Sequence, residues 1–209
     1  MAGYHTVEQG EQLSDIAAHY GFWGYLSIWD HPKNAELRQR RPNPHVLFPG
    51  DSLFIPDKET KKELAETSCR NRFRLSRRRL LLRIVLKDSG ERPMACMPCT
   101  LEIEGNIYRL TTSNEGLVEQ EIPANARQGK LSIGDMEVPI RVGYMDPVEE
   151  VSGQQARLNN LGYDVGEVGT ADEERMRLAL EEFQFEQGLN VSGACDAQTR
   201  ARLVEVHGC

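Results

Sequence analysis

The chain has 209 residues, of which 39% are hydrophobic and 27% charged, and its formal net charge is −7. An acidic balance disfavours non-specific binding to nucleic acid, and no apolar run reaches the roughly 20 residues that a membrane-spanning helix needs. The composition is otherwise typical of a globular protein. Changes of hydrophobic period divide the sequence into a first module at 1–57, a linker at 58–69, a second module at 70–146 and a third module at 147–209.

The first module has strand patterns at both ends and helical patterns between them. Its first strand is followed by a turn at Gly10 and an amphipathic helix that ends near Tyr20, and the dense apolar residues from Trp23 to Trp29 predict a second helix. This order resembles a LysM module, a small βααβ fold that binds glycans containing N-acetylglucosamine. The residues that match the family pattern are Tyr4, Val7, Gly10, Leu13, Ile16, Ala17, Tyr20, Gly21, Leu26, Trp29, Pro49, Gly50, Leu53, Ile55 and Pro56.

The LysM resemblance implies a glycan-binding groove between two loops. The expected groove residues are Gly10, Glu11, Gln12, Leu13, Pro44, His45, Val46 and Leu47. The alternative is that Leu13 and Leu47 belong to the hydrophobic core and that the loops are merely solvated. The sequence departs from the family at Glu11 and Gln12, where the family has Asp and Thr, and at Asp30, which takes the place of an asparagine after the second helix.

The second module alternates with a period of two, which predicts short strands. The turns between them fall at 88–90, 105–106, 113–116 and 134–135. Short strands with evenly spaced turns predict a small all-β sandwich, and the pattern resembles immunoglobulin-like modules that act as spacers. An arginine run at 70–83 is either a site for an anionic partner or the solvent face of a strand; its alternation with Phe73 and Leu75 favours the solvent face.

The third module returns to a helical period. One apolar stripe runs from Val151 to Leu161, and a second begins at Met176 and is widened by Leu178 and Phe185. The module resembles the peptidoglycan-binding domain found at the ends of many cell-wall hydrolases. The matching segments are 155–163, 183–184, 188–193 and 199–203. The resemblance implies that the glycan contacts Tyr163, Ser192, Gly193 and Thr199.

That family contains an internal repeat, in which an Asp-Gly loop precedes a threonine on the following helix. In this chain the second loop is kept at 192–193, followed by Thr199 on a helix that Asp196 is placed to cap. The first loop is reduced to 169–170, with Met176 in the place of the threonine. The resemblance therefore implies that the three helices are kept, while the first loop has diverged.

The side chains that usually carry chemistry form no recognisable site. The cysteines are Cys69, Cys96, Cys99, Cys195 and Cys209, an odd number that argues against a disulfide framework and predicts mostly reduced thiols. Cys96 and Cys99 have redox or metal spacing but lack the further ligands or the helix start that such sites need. The histidines are scattered, and no catalytic carboxylate pair or nucleophile motif occurs. We therefore predict no catalytic residue, metal or cofactor, and a protein that is not an enzyme.

These patterns predict a multi-domain α+β protein with a βααβ LysM-like module, a small β-sandwich and a three-helix peptidoglycan-binding-like module. The first hypothesis is a non-catalytic protein that binds peptidoglycan glycan strands, accessory to a secretion or cell-wall-targeting system. The second is an adaptor, chaperone or immunity protein that binds a type VI secretion effector or spike component, since the Pro- and Arg-rich insert at 29–44 resembles LysM-containing accessory proteins of that system. No signal-peptide pattern precedes the first strand, so we expect synthesis in the cytoplasm and delivery to the periplasm by a specialised secretion system.

Overall fold

The computed structural model describes residues 2–58, 69–70, 80–90, 92–170 and 172–209. The strands are β1 (Gly3–Thr6), β2 (Ser52–Ile55), β3 (Leu80–Val85), β4 (Pro98–Ile103), β5 (Asn106–Thr111), β6 (Leu117–Ile122), β7 (Gln128–Ile133) and β8 (Met136–Arg141). The helices are α1 (Leu13–His19), α2 (Leu26–Trp29), α3 (Ala35–Arg40), α4 (Val151–Asn160), α5 (Glu173–Glu186) and α6 (Ala197–His207), with a 3₁₀ turn at Pro32–Asn34. The chain is thus a mixture of helices and several small sheets, and no helix among the described residues is long and apolar enough to cross a membrane.

The N-terminal module is a two-stranded antiparallel sheet packed against short helices. β1 pairs with β2 from Gly3 opposite Ile55 to Thr6 opposite Ser52. The core residues are Val7, Leu13, Ile16, Ala17, Ile28, Trp29, Leu37, Leu47, Leu53 and Ile55. The two strands at the ends and the helices between them agree with the prediction, but the structure adds a 3₁₀ turn and α3 to the two predicted helices, and the LysM family itself stays a prediction.

The predicted second helix is shorter than its apolar residues suggested. α2 covers only Leu26–Trp29, and the insert after it folds into the 3₁₀ turn and α3. Trp23, which was expected to lie in the packed helix, is 59% exposed. The density of apolar residues therefore predicted the helix but not which of them are packed.

Asn34 joins the helices of this module to its sheet. Its side chain is buried, donates to the carbonyls of Ile28 (2.8 Å) and Phe54 (2.9 Å), and accepts from the Phe54 N–H (2.7 Å). Asp30 is exposed and pairs with Arg38 at 3.3 Å. Asn34, rather than Asp30, thus makes the bonds between helix and sheet.

The described residues of the central module form two antiparallel sheets around one core. One sheet pairs β3 with β6, and the other has the order β5-β4-β7-β8. The buried residues that the sheets share are Cys99, Leu101, Ile103, Val118, Ile122, Ala126, Leu131, Ile133 and Ile140. The strands lie where the alternation predicted them, while the immunoglobulin-like assignment stays a prediction.

Some predictions for this region fall on residues outside the described ranges. They include the strand around Phe73 and Leu75 and nearly all of the linker at 58–69. Of the predicted arginine run, Arg83 is described; its exposed side chain lies opposite Glu119 on β6 and pairs with it at 2.6 Å. This position on a strand surface agrees with the solvent-face interpretation at that residue.

The C-terminal module packs α4, α5 and α6 around a small core. The core residues are Leu158, Val165, Ala179, Leu180, Phe183 and Leu203. The helices follow the predicted stripes except at Val151, which is 60% exposed at the start of α4. Leu178 and Phe185 do not widen the buried face of α5, because they are 50% and 77% exposed. Cys195 packs against this core, and burial raises the pKa of its thiol to about 11.

A buried arginine anchors the ends of this module. The Arg157 guanidinium donates to the carbonyl oxygens of Asp146 (2.8 Å), Gly153 (2.7 Å) and Cys209 (2.8 Å). The backbone of Gly153 lies so close to the segment before α4 that a Cβ at this position would be 2.0 Å from the Pro147 carbonyl oxygen. Arg157 therefore connects α4 with the segment that leaves the central module and with the residue that follows α6.

Candidate glycan-binding site

The second loop of the C-terminal module is held by one buried amide. The Gln184 side chain, on α5, is 0% exposed. Its oxygen accepts from the N–H groups of Ser192 (2.9 Å) and Gly193 (3.0 Å), and its nitrogen donates to the Ala194 carbonyl (2.9 Å) and the Thr199 hydroxyl (2.9 Å). Three of the four residues predicted here to contact glycan therefore meet at this side chain.

The accessibility of these predicted residues differs. Ser192 is exposed and Gly193 half-buried, whereas Thr199 is 2% exposed and its hydroxyl is bonded to Gln184. Tyr163 is half-buried; its ring packs edge-on against Phe183, and its hydroxyl donates to the Glu186 carboxylate. The structure thus places Ser192 and Gly193 where a ligand can reach them, and gives Thr199 a position beneath the loop.

Gly193 is the position in the loop where a side chain does not fit. Its φ of 68° lies in the left-handed region, which disfavours residues with a Cβ. A Cβ there would also lie 2.7 Å from Cγ of Arg177 and 3.0 Å from Oε1 of Glu181. The loop therefore approaches α5 closely, and Ser192 next to Gly193 is exposed.

The first loop repeats this arrangement with a second buried glutamine. Gln155, on α4, is 2% exposed; its oxygen accepts from the Gly169 N–H (2.9 Å) and its nitrogen donates to the Thr170 carbonyl (2.9 Å). Gly169, like Gly193, has a positive φ (88°). The internal repeat in the sequence thus corresponds to two loops, each held by hydrogen bonds to a buried glutamine on the preceding helix.

The helices that follow the two loops begin with the same cap. Asp172 accepts from the Arg175 N–H at 3.0 Å, and Asp196 accepts from the Thr199 N–H at 2.8 Å, in both cases three residues later. By their position relative to the caps, Arg175 on α5 corresponds to Thr199 on α6. Met176, which the resemblance had placed at the threonine position, is one residue further along and packs against the core.

In the N-terminal module, the structure gives the first predicted groove loop several internal bonds. Burial raises the pKa of Glu11, but hydrogen bonds from the Glu8 N–H (2.9 Å) and His5 (2.8 Å) outweigh this and lower it. Gln12 is 4% exposed, and its nitrogen lies 3.4 Å from the Ala124 carbonyl and 3.3 Å from the Ala126 carbonyl of the central module. Glu11 and Gln12, the two residues of this loop that depart from the family pattern, therefore both form hydrogen bonds within the chain.

The second predicted groove loop is largely packed against the module core. Leu47, like Leu13 of the first loop, belongs to that core, as in the alternative interpretation, and Val46 is also buried. His45 lies at the surface with its ring edge-on to Tyr25, whose hydroxyl is 3.4 Å from its Nε2, and Pro44 is half-buried beside it. The groove itself stays a prediction, with His45 and Pro44 as its accessible side chains in this loop.

Three side chains near the end of α6 are arranged like those of a cysteine nucleophile site, but the thiol and the imidazole among them are not in the charge states that such a site needs. The Cys209 thiol is 3.1 Å from Nδ1 of His207, whose Nε2 is 3.0 Å from the Asn160 amide nitrogen. Burial raises the pKa of Cys209, and burial together with the Arg157 charge lowers the pKa of His207 to about 4. Both groups are neutral at pH 7, so this pair does not supply the thiolate that a cysteine nucleophile needs. Both side chains are half-buried.

The predicted Cys96–Cys99 pair does not form a joint site. Cys96 is exposed in a turn, where its thiol contacts the Asn114 side chain at 3.2 Å, while Cys99 is in the core, where burial raises its pKa. Within the described ranges, no group of His, Cys, Asp and Glu side chains could hold a metal ion.

The comparison with known families bears on the C-terminal module. The model of a family described as a putative peptidoglycan binding domain matches residues 147–203. This match covers the predicted third module from its first residue to Leu203 on α6, and it supports both a C-terminal peptidoglycan-binding domain and peptidoglycan as a partner. No curated protein and no solved structure matches the chain.

The residues that sequence reasoning missed are the two glutamines. Both lie within the segments quoted for the resemblance, and Gln155 has the spacing of the first helix's stripe, but neither was predicted to hold a loop. A signal was present, since a polar residue among the apolar residues of α4 or α5 is buried only with hydrogen-bond partners for its amide. The contact of Gln12 with the central module had no comparable signal in the sequence.

Proposed function

We propose that this protein is a non-catalytic peptidoglycan-binding protein whose C-terminal module attaches it to the cell wall. The observation that carries the proposal is the match of residues 147–203 to the putative peptidoglycan binding domain family. The binding surface in this proposal is the pair of glutamine-held loops. The exposed residues of these loops, Gly169, Thr170 and Ser192, carry no charge, and the hydroxyl groups of Thr170 and Ser192 suit an uncharged sugar, which is recognised by neutral hydrogen-bonding groups.

We extend the proposal to the N-terminal module, which we take to be a LysM-like module that binds N-acetylglucosamine glycan. Its support is the order of strands and helices and the accessible His45 in the predicted groove. Two modules that bind the same polymer raise each other's local concentration at the wall, so the affinity of the whole chain exceeds that of either module.

The test is co-sedimentation of the full-length protein with purified peptidoglycan sacculi. A matched pair of valines supplies the variants: Val191 is 49% exposed beside the second loop, and Val85 is 57% exposed on β3 of the central module. Val191→Glu places a carboxylate beside a site for neutral sugar, so we expect bound protein to fall about tenfold, which corresponds to about 1.4 kcal/mol. Val85→Glu makes the same change on another module and should bind like the unaltered protein.

Two results would remove the proposal. If the unaltered protein stays in the supernatant at all protein concentrations, the chain does not bind peptidoglycan. If Val191→Glu and Val85→Glu weaken binding equally, the loops are not the binding surface, and the effect reflects net charge alone.

A second candidate function is an adaptor for a secreted effector or spike protein of a type VI secretion system. One observation favours it: the insert at 29–44 adds a 3₁₀ turn and α3 to the N-terminal module, and Gln39 and Arg40 at the end of α3 are exposed. Co-purification of a neighbouring gene product, lost on Arg40→Glu but kept on Val191→Glu, would support this function. Sacculus binding without any co-purifying protein would count against it.

A further inference from the structure

The first loop of the N-terminal module is in contact with the central module through side chains. Besides the bonds of Gln12, the Asp15 carboxylate on α1 pairs with Arg127 at 2.9 Å. Arg127 follows Ala126 directly, so the ion pair and the Gln12 bonds meet the same short segment before β7. That segment is itself fixed, because the Glu104 carboxylate accepts from the backbone N–H groups of residues 127 and 128 at 2.9 and 3.1 Å.

A second part of the contact brings backbone against backbone at two glycines. Gly10 and Gly143 both have a positive φ (82° and 84°), and a Cβ on Gly143 would be 2.8 Å from the Gly10 carbonyl oxygen. A Cβ on Gly10 would be 2.7 Å from the ring of Tyr144. Only glycines permit this approach, so the Gly10 turn and the segment after β8 fit closely together.

The contact covers the side of the predicted groove formed by Gly10 to Leu13. Gly10 and Gln12 are buried, and Gln12 has a polar side chain that would require new partners if the modules separated. The Asp15–Arg127 pair adds less, because the Arg127 side chain is 51% exposed and its charge is screened by solvent. The buried amide and the glycine contact are therefore the main attachment.

We propose that this contact is a docking interface that closes one side of the N-terminal glycan groove, so that docking of the central module competes with glycan binding there. The inference rests on the proposed function in one respect, namely that the N-terminal groove binds N-acetylglucosamine. Glycan that needs the Gly10–Leu13 side binds only the undocked chain. The apparent dissociation constant of that module is then raised by the reciprocal of the undocked fraction.

The test perturbs the interface from the central module, which leaves every predicted groove residue unchanged. The variant combines Arg127→Asp with Tyr144→Ala. The matched control is Lys130→Asp, which makes the same charge change on β7, where Lys130 pairs with Glu137 rather than with the N-terminal module. A swap of Asp15→Arg with Arg127→Asp restores the ion pair in reverse.

Two measurements on the full chain are compared: hydrogen exchange of the segment at 8–16, and calorimetric binding of the hexasaccharide of N-acetylglucosamine. For the double variant we expect faster exchange in that segment and about tenfold tighter hexasaccharide binding, the gain if one chain in ten is undocked at rest. The Lys130→Asp control should match the unaltered protein in both measurements, and the charge swap should return towards it.

The inference is overturned if the segment at 8–16 exchanges equally fast in the unaltered protein and in the double variant, because the modules are then not docked in solution. It is also overturned if the double variant exposes the segment and still binds no hexasaccharide. In that case, retained co-sedimentation with sacculi, sensitive to Val191→Glu, would leave wall binding by the C-terminal module standing. The two proposals therefore fail in distinguishable ways.

Discussion

Replacement of Gln184 by methionine is the sharpest test of how the second loop is held. Methionine has nearly the length and volume of glutamine but no polar atoms, so it fills the same buried space and removes all the amide's hydrogen bonds. The amide oxygen loses the bonds donated by the N–H groups of Ser192 and Gly193 (2.9 and 3.0 Å). The amide nitrogen loses those it donates to the Ala194 carbonyl and the Thr199 hydroxyl (both 2.9 Å) and, at 3.3 Å, to the Ser192 hydroxyl.

The expected loss follows from where each partner is left. A neutral hydrogen bond contributes about 1 kcal/mol net, and a partner that stays buried without a bond costs about 1–3 kcal/mol. Ser192 is exposed, so its N–H can turn to water, whereas the Thr199 hydroxyl lies in a residue that is 2% exposed. We therefore expect the loop and the start of α6 to lose about 3 kcal/mol of stability, most of it from Thr199 and Gly193.

The assay is native hydrogen exchange of the full chain, because a chain of several modules does not unfold in one two-state transition. A loss of about 3 kcal/mol corresponds to a rise on the order of 100-fold in the exchange of residues 190–200. Gln198→Met is the matched control, since Gln198 lies exposed on α6 and the same substitution there should change nothing. Equal exchange rates in Gln184→Met and the unaltered protein would refute the conclusion that Gln184 holds the loop. Fast exchange with unchanged sacculus binding would show that the loop is not the glycan site.

Three further predictions test other parts of the chain. Burial and the charge of Arg157 lower the pKa of His207 to about 4, so between pH 6.5 and 4 the unfolded chain binds more protons than the folded chain. The stability of the C-terminal module should therefore fall as the pH drops through that window. Thermal unfolding measured across this pH range should show the fall, and His207→Asn should flatten it. Asn34→Ala should lower the stability of the N-terminal module by about 3 kcal/mol, because buried backbone groups lose their partners, and exchange in β2 would rise only in that module. Gly193→Ala and Gly188→Ala impose the same positive-φ strain of about 1–2 kcal/mol, but only at Gly193 does the Cβ meet α5; a larger loss of thermal stability at Gly193 is expected, and equal losses would contradict the close packing.

The sequence was most informative where structure follows from local periodicity. Alternation of polar and apolar residues located β3 to β8 to within a few positions, because a strand with one buried face must repeat every second residue. The helical stripes of the third module likewise located α4, α5 and α6. The family match at 147–203 then agreed with the resemblance drawn for that module.

Periodicity was less informative about which apolar residues are buried. Trp23, Leu178 and Phe185 fit helical or packed patterns, but the structure leaves all three exposed. A stripe on a helix shows that one face is apolar, and the width of that face depends on what packs against it. For α5, the partners are α4 and α6, and they cover only the side that contains Ala179, Leu180 and Phe183.

The candidate site shows the same limit at longer range. The loop residues 192 and 193 could be named from the resemblance, but the side chain that organises them is Gln184, eight residues before the first of them. The partner carbonyls of Gln12 lie 112 and 114 residues away along the chain. No periodic pattern encodes such a contact, because it depends on how two modules meet.

The two ends of the chain differ in how accessible their candidate sites are, and this difference implies an order of binding. The C-terminal loops are held within their own module by Gln155 and Gln184, so they keep one shape whatever the other modules do. The Gly10–Leu13 side of the N-terminal groove is held against the central module by Gln12. If both proposals hold, the C-terminal module binds the wall first, and the resulting local concentration of glycan favours undocking and binding of the N-terminal module. The Val191→Glu variant should then weaken wall binding by more than the C-terminal contacts alone account for, and opening the interface with Arg127→Asp and Tyr144→Ala should restore part of that loss.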